Sequence, residues 1–131
     1  MNVLFASFEV SPFAKIGGLG DVAGSLPPAL RKIGVNAVSV MPKHGSILPG
    51  YVEKMEFLCS FNVKIGFLDK YVGVFFIERG GGRIYFLDNE EYFGGSGVYG
   101  YSSDTDADRS VFFCRAVLEM LDKIGFSPDI I

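Results

Sequence analysis

Cysteine, histidine and basic charge are the scarce components of this sequence, and each scarcity removes a class of function. The only cysteines, Cys59 and Cys114, have neither a CxxC nor a Cys/His spacing, so zinc and redox chemistry are not supported and both are expected as core thiols. His44 is the single histidine, and its neighbours Pro42, Lys43 and Gly45 offer it no partner for work as a base or ligand; it is expected as a plain loop residue. A formal net charge of -3 leaves no basic face to neutralise many phosphates, which excludes nucleic acid as a partner but leaves small phosphorylated ligands open. No run approaches the ~20 apolar residues of a membrane span. The N-terminus, Met-Asn-Val-Leu-Phe, turns polar at Ser7 and Glu9 without a basic segment and a sustained apolar stretch, so a cytoplasmic protein without membrane contact is expected. Internal repeats, low-complexity tracts and linkers are also missing.

What is present suits one compact unit. The chain has 131 residues, 49% of them hydrophobic and 21% charged, enough apolar surface for a real core and too much for intrinsic disorder. Val3 to Phe8 is a short apolar run that fits a buried parallel strand. A loop with three glycines follows. Val22, Leu26, Leu30 and Ile33 then recur at helical spacing before a stop at Gly34, and Pro27-Pro28 within that pattern predicts a helix in two pieces. Asn36 to Met41 reads as a second strand, which completes a strand-helix-strand unit with a right-handed crossover.

From Tyr51 onward the pattern turns β-rich. Leu58–Ile65, Tyr71–Glu78 and Arg83–Leu87 are three runs of strand formers, the last two separated by Gly80-Gly81-Gly82, which predicts a hairpin insertion leading into another core strand. Asn89–Ser103, rich in glycine, tyrosine and serine, reads as one long loop. A final helix has an apolar stripe through Val111 or Phe112, Arg115 or Ala116, Leu118 and Leu121 to Ile124, with the Asp104-Thr105-Asp106 cluster at its front and Gly125 as its stop. Pro128-Asp129-Ile130-Ile131 opens a further strand, so residues 1–131 are expected to be an incomplete domain.

The strongest chemical signal is Lys15-Ile16-Gly17-Gly18-Leu19-Gly20-Asp21, between the first strand and the first helix, where open α/β sheets bind ligands. Glycines there let backbone approach a ligand, and the helix start offers unpaired N–H groups to an anion. Lys15 adds a full charge, and a charge-assisted hydrogen bond of roughly 1.5–3 kcal/mol would change affinity ten-fold or more. Spacing alone also allows a tight turn with a solvated lysine. The segment is neither G-x-G-x-x-G nor G-x-x-x-x-G-K-[ST], so neither a dinucleotide site nor a P-loop is supported. Adjacent Glu90 and Glu91 sit on different faces and are assigned no role.

The stretch from Phe8 to Val22, with its core K-I-G-G-L-G-D-V, resembles the N-terminal signature of bacterial glycogen synthases and plant starch synthases, usually K-T-G-G-L-G-D-V. The likeness continues through Ser25-Leu26-Pro27, Met41-Pro42-Lys43, Leu87-Asp88-Asn89, Tyr92-Phe93, Gly97-Val98-Tyr99-Gly100 and Asp108-Arg109, in order along nearly the whole chain. It departs at Ile16, at Gly94-Gly95-Ser96, where the family commonly carries an arginine, and at Ser110, where it has phenylalanine.

The resemblance implies the Rossmann-like N-terminal domain of a GT-B glycosyltransferase, a mostly parallel sheet with a β-hairpin insertion, truncated here. It implies ADP-glucose as the usual bacterial donor, an α-1,4-glucan acceptor and retention at the anomeric carbon, with no cofactor and no metal. UDP-glucose as donor stays open. By the same resemblance Lys15 matches the lysine that contacts the donor, Gly18 the glycine whose N–H faces its phosphates, and Tyr99 an aromatic near the sugar and acceptor. Glu9, Gly17 and Asp21 match positions that line the cleft or hold the loop; no catalytic residue is assigned. The family's H-x-[ND]-D-W motif would follow Ile131, and the nucleotide-holding Arg, Lys and Glu of its C-terminal domain are not in this sequence. The alternative is a module that binds glucan or nucleotide sugar without turnover.

Overall fold

The computed structural model describes residues 1–95 and 97–131. Five strands form one mixed sheet: β1 (Asn2–Ala6), β2 (Asn36–Pro42), β3 (Glu56–Ile65), β4 (Leu68–Arg79) and β5 (Gly82–Asp88). Their spatial order is β1-β2-β5-β4-β3. β1 pairs parallel with β2, and β2 with β5, whereas β4 runs antiparallel to both β5 and β3. The expected mostly parallel sheet is therefore mixed, because the inserted β3–β4 hairpin extends one edge with antiparallel pairs. The β4–β5 turn is a tight one, with positive φ at Gly80 and Gly81 (59° and 77°), a conformation that glycine adopts without strain.

Two long helices cover opposite faces: α1 (Gly18–Lys32) and α4 (Ser103–Ile124). Side chains alternate across the sheet as the strand period requires. Val38, Val40, Tyr85 and Leu87 pack with Phe112, Phe113, Ala116, Val117 and Met120 of α4. Met41, Ile84 and Phe86 pack on the other side with Ala23 of α1 and with Val10 and Phe13 of the loop after β1. Each large side chain so buried contributes about 1.5–3 kcal/mol. Two single-turn helices, α2 (Pro49–Val52) and α3 (Glu90–Phe93), complete the elements.

Several local expectations are corrected. α1 is one helix with both prolines inside it; Pro27 is buried, and packing on the sheet outweighs the lost backbone donors. Its inward face is also not the Val22-Leu26-Leu30-Ile33 stripe, exposed but for half-buried Leu30; it is Gly20, Ala23 and Pro27. Small residues lie inward because the backbone of the preceding loop passes close: a Cβ on Gly24 would sit 2.6 Å from the Ser11 carbonyl oxygen. α4 begins at Ser103, with Ser102 as cap (its Oγ accepts from Thr105 N–H at 3.2 Å), and ends at Gly125 with φ 64°. Of the stripe's two pairs of alternatives, Phe112 and Ala116 face inward, whereas Leu118 faces outward, not inward. The expected long loop opens with α3, capped by Asn89 Oδ1 accepting from Tyr92 N–H at 3.0 Å. Of the two cysteines, Cys59 is half-buried and Cys114 exposed, so Cys114 is not a core thiol.

The last residues return to the edge of β1. Leu4 N–H donates to the Ile130 carbonyl at 2.9 Å, so Ile130 starts a parallel pairing on the edge of β1 opposite β2. From β1 the chain thus leads to β2 on one side and, through α4, to Ile130 on the other. β1 is the point at which strand order reverses, and the crevice beyond its carboxyl end is where open α/β sheets receive ligands.

Candidate functional site

The loop from Ser7 to Gly17 leaves the carboxyl end of β1 and folds over a buried carboxylate. Glu9 Oε2 accepts from the N–H groups of Ile16 (2.8 Å) and Gly17 (3.0 Å), and the Gly20 amide also faces the carboxylate. Glu9 Oε1 accepts from the Tyr99 hydroxyl at 2.6 Å. That hydrogen bond, with the amides behind it, holds the Glu9 pKa below the usual carboxylate value against the opposing effect of burial. Tyr99 responds in reverse: desolvation first, then its bond to Glu9, pushes its hydroxyl pKa up to about 12. The Tyr99 ring stacks on Phe8, centroids 6.2 Å apart.

The residues singled out from the sequence converge here. Glu9, Lys15, Gly17, Gly18, Asp21 and Tyr99 surround one loop and one helix start. Lys15 Nζ lies 2.9 Å from Asp21 Oδ2, with both side chains just over half exposed (51% and 56%). A solvated pair of this kind contributes no more than about 1 kcal/mol, so an arriving anion can take over the ammonium at little cost. A Cβ built on Gly17 or Gly18 would meet nothing within 4 Å. No contact among the described residues therefore requires glycine at these two positions, in contrast to Gly20, where a Cβ would lie 3.3 Å from Glu9 Oε2. The Gly17 N–H points inward to Glu9. As the first residues of α1, Gly18 and Leu19 have no partner four residues back for their amides, and Gly17 supplies no side-chain cap.

Sequence reasoning missed the supports behind this loop. Arg109, 6% exposed, donates through Nε to the Tyr92 carbonyl (2.7 Å) and through Nη1 to Asp106 Oδ1 (3.2 Å). Asp106 Oδ1 also accepts from Gly100 N–H at 2.6 Å, which fixes the segment carrying Tyr99. His44 is not a free loop residue: it is 2% exposed, and its Nε2–H donates to the Phe8 carbonyl at 2.8 Å. Its Nδ1 has no partner among the described residues. Burial, opposed by that bond to Phe8, lowers the His44 pKa to about 4, so the ring is neutral at ordinary pH. Of the departures from the family pattern, Ser96 lies outside the described residues, and Ser110 Oγ donates to the Asp106 carbonyl at 2.7 Å within α4.

Beside the loop, a groove of about 550 Å³ is lined mainly by apolar side chains, among them Phe8, Leu19, Tyr99, Phe113 and Leu118. Among the described residues no group of three His, Cys, Asp or Glu is arranged to hold a metal ion. No described helix is long and apolar enough to cross a membrane.

A doubly covered α/β sheet with an open glycine turn, a lysine and a helix start at the switch point defines a Rossmann-like domain. The particular family follows from comparison. Residues 2–131 match the family model of the starch synthase catalytic domain, and the chain belongs to that family. It is similar to glycogen synthases of Caldicellulosiruptor saccharolyticus, 49% identical, and Geobacillus stearothermophilus, 45% identical, in each case over 100% of this chain and 27% of the relative. The chain thus spans about a quarter of the length of these relatives. Its fold matches the catalytic domain of starch synthase IV from Arabidopsis thaliana bound to ADP and acarbose, with a TM-score of 0.81 at 26% identity, covering 98% of this chain and 27% of that one.

Proposed function

We propose that this chain is the N-terminal, acceptor-side portion of a glycogen synthase that transfers glucose from ADP-glucose to the non-reducing end of an α-1,4-glucan with retention of configuration. The observation that carries this reading is the open face of the glycine loop. Gly17 and Gly18 leave backbone bare where no neighbour needs the room, beside a lysine held only by a solvated ion pair. The neighbouring starch synthase, with ADP and acarbose bound, supports a nucleotide and a glucan-like chain as the ligands.

In this reading the bond from the anomeric carbon to the departing diphosphate breaks as negative charge grows on the diphosphate. Lys15 and the outward amides of Gly18 and Leu19 meet that charge, and preorganised donors of this kind stabilise the transition state without reorganising during the reaction. Tyr99, part-exposed at the groove, borders the side from which the glucan approaches. Cations from the rest of the synthase complete the grip on the nucleotide. By itself the chain forms one wall of a cleft, so it binds without turnover, because donor and acceptor are not brought together. A cytoplasmic setting belongs to the same reading.

The test is a chimera in which this chain replaces the corresponding residues of the Caldicellulosiruptor synthase. Lys15→Ala is expected to weaken donor use, measured as kcat/KM for ADP-glucose, by roughly ten-fold or more. Unchanged kcat and KM would remove Lys15 from the donor site and the main support for the assignment. UDP-glucose in the same assay decides the nucleotide.

A further inference from the structure

The Glu9 carboxylate is shared between two parts of the chain that lie about 90 residues apart in sequence. Its Oε2 holds the amides of Ile16 and Gly17, and its Oε1 holds the Tyr99 hydroxyl. Tyr99 is anchored in turn. Gly100 N–H is held by Asp106, and Asp106 by the buried guanidinium of Arg109, which is itself bonded to the Tyr92 carbonyl. A continuous line of polar contacts therefore runs from α4, through the Tyr99 segment, into the glycine loop.

The two oxygens of a carboxylate are rigidly joined, so a shift of Tyr99 turns Glu9 and moves the amides on its other side. The geometry points to Glu9 as a positioning residue: its single carboxylate sets which amides of the glycine loop face an incoming anion, and it ties their orientation to the segment that carries Tyr99. With Ile16, Gly17 and Gly20 turned inward onto Glu9, the amides at this helix start that Glu9 does not take are those of Gly18 and Leu19. The anion's identity as a sugar nucleotide rests on the function proposed above; the coupling itself does not. Where both hold, a glucan that displaces the Tyr99 hydroxyl alters donor affinity, and the donor alters glucan affinity by the same factor.

The test is amide hydrogen exchange of the ligand-free chain, read at Ile16 and Gly17 with Val40 in β2 as the control. Tyr99→Phe removes the hydroxyl but keeps the ring on Phe8. It is expected to speed exchange at Ile16 and Gly17 by roughly ten-fold relative to Val40, the effect of losing about one hydrogen bond. Glu9→Ala should speed it further. Glu9→Gln should restore protection, because its amide oxygen can accept from the loop while its NH2 donates to the Tyr99 oxygen. Wild-type exchange at Ile16 and Gly17 in Tyr99→Phe, or acceleration no greater than at Val40, overturns the proposal. ADP titration of the chain and its Lys15→Ala variant is a separate readout. If ADP binding is insensitive to Lys15 while exchange responds to Tyr99, the donor reading fails and the coupling stands; the converse result sinks the coupling alone.

Discussion

His44 makes this fold sensitive to mild acid in a way that can be calculated. Its Nε2–H is bonded to the Phe8 carbonyl, so a second proton must go to Nδ1, which is buried without an acceptor among the described residues. The ring is packed against Phe8 and Phe93, and the charge on Arg109 adds further opposition to protonation. The folded-state pKa is therefore about 4 against an ordinary 6.5. A base with a depressed folded pKa favours folding above its unfolded value, and that contribution disappears as pH falls, because the unfolded chain takes up the proton first. For these two values the loss between about pH 7.5 and about pH 5.5 is about 1.3 kcal/mol, and it reaches about 3 kcal/mol near pH 4. Against a total stability of about 5–15 kcal/mol this is a substantial share.

Urea unfolding measures it directly. With a slope of about 1–3 kcal/mol per molar, the midpoint should fall by about 0.4 to 1.3 molar between about pH 7.5 and about pH 5.5. His44→Gln is the informative variant, since a glutamine side-chain amide can still donate to Phe8 yet does not titrate. Its midpoint should be almost flat across the same range. His44 is the sole histidine, and the Glu9 contribution, from a lowered carboxylate pKa, is present above its unfolded value of 4.5 and is lost only in more acid solution. If His44→Gln loses as much stability as the parent chain, burial of a neutral imidazole is not the source of the pH dependence.

Three further outcomes are expected. Gly24→Ala pushes a Cβ to 2.6 Å from the Ser11 carbonyl, which neither backbone can easily avoid, and should lower stability by about 1–3 kcal/mol in thermal unfolding. Gly18→Ala does the opposite: with nothing within 4 Å of the new methyl group, the melting temperature should hold or rise slightly, while under the proposed function ADP affinity, measured by calorimetry, should fall. Cys114, exposed, should react with a thiol reagent well before Cys59, whose half-buried thiol has its pKa raised by desolvation; equal rates would contradict the placement of α4.

The parts of this molecule that could be read from its sequence are those specified by near neighbours. The strand-helix-strand opening, the Gly80-Gly81 turn, the stop at Gly125 and the glycine loop at the end of β1 each depend on residues within a few positions, and each lies where the pattern put it. Errors arose where distant chain decides. The Val22-Leu26 stripe was a sound helical period read on the wrong face, because the loop from Ser7 to Gly17 presses its backbone on α1 and admits only Gly20, Ala23 and Pro27 beneath it. The prolines that predicted a break are held helical by the same packing.

The site divides along this line as well. Its outward features, Lys15 and the bare glycines, are local and were legible. Its inward architecture was not, because Glu9 meets Tyr99 across 90 positions and His44 meets Phe8 across 36. A lone histidine or glutamate in the sequence carries no sign of such a partner. Yet buried polar groups are stable only when paired, so these long-range bonds are also what fixes the loop in one geometry. An anion-binding loop whose amides were free to turn would lose part of its binding free energy in ordering them. Glu9 holds the amides of Ile16 and Gly17 in one orientation without any ligand, and it does so against Tyr99, a partner that its own sequence neighbourhood gives no sign of.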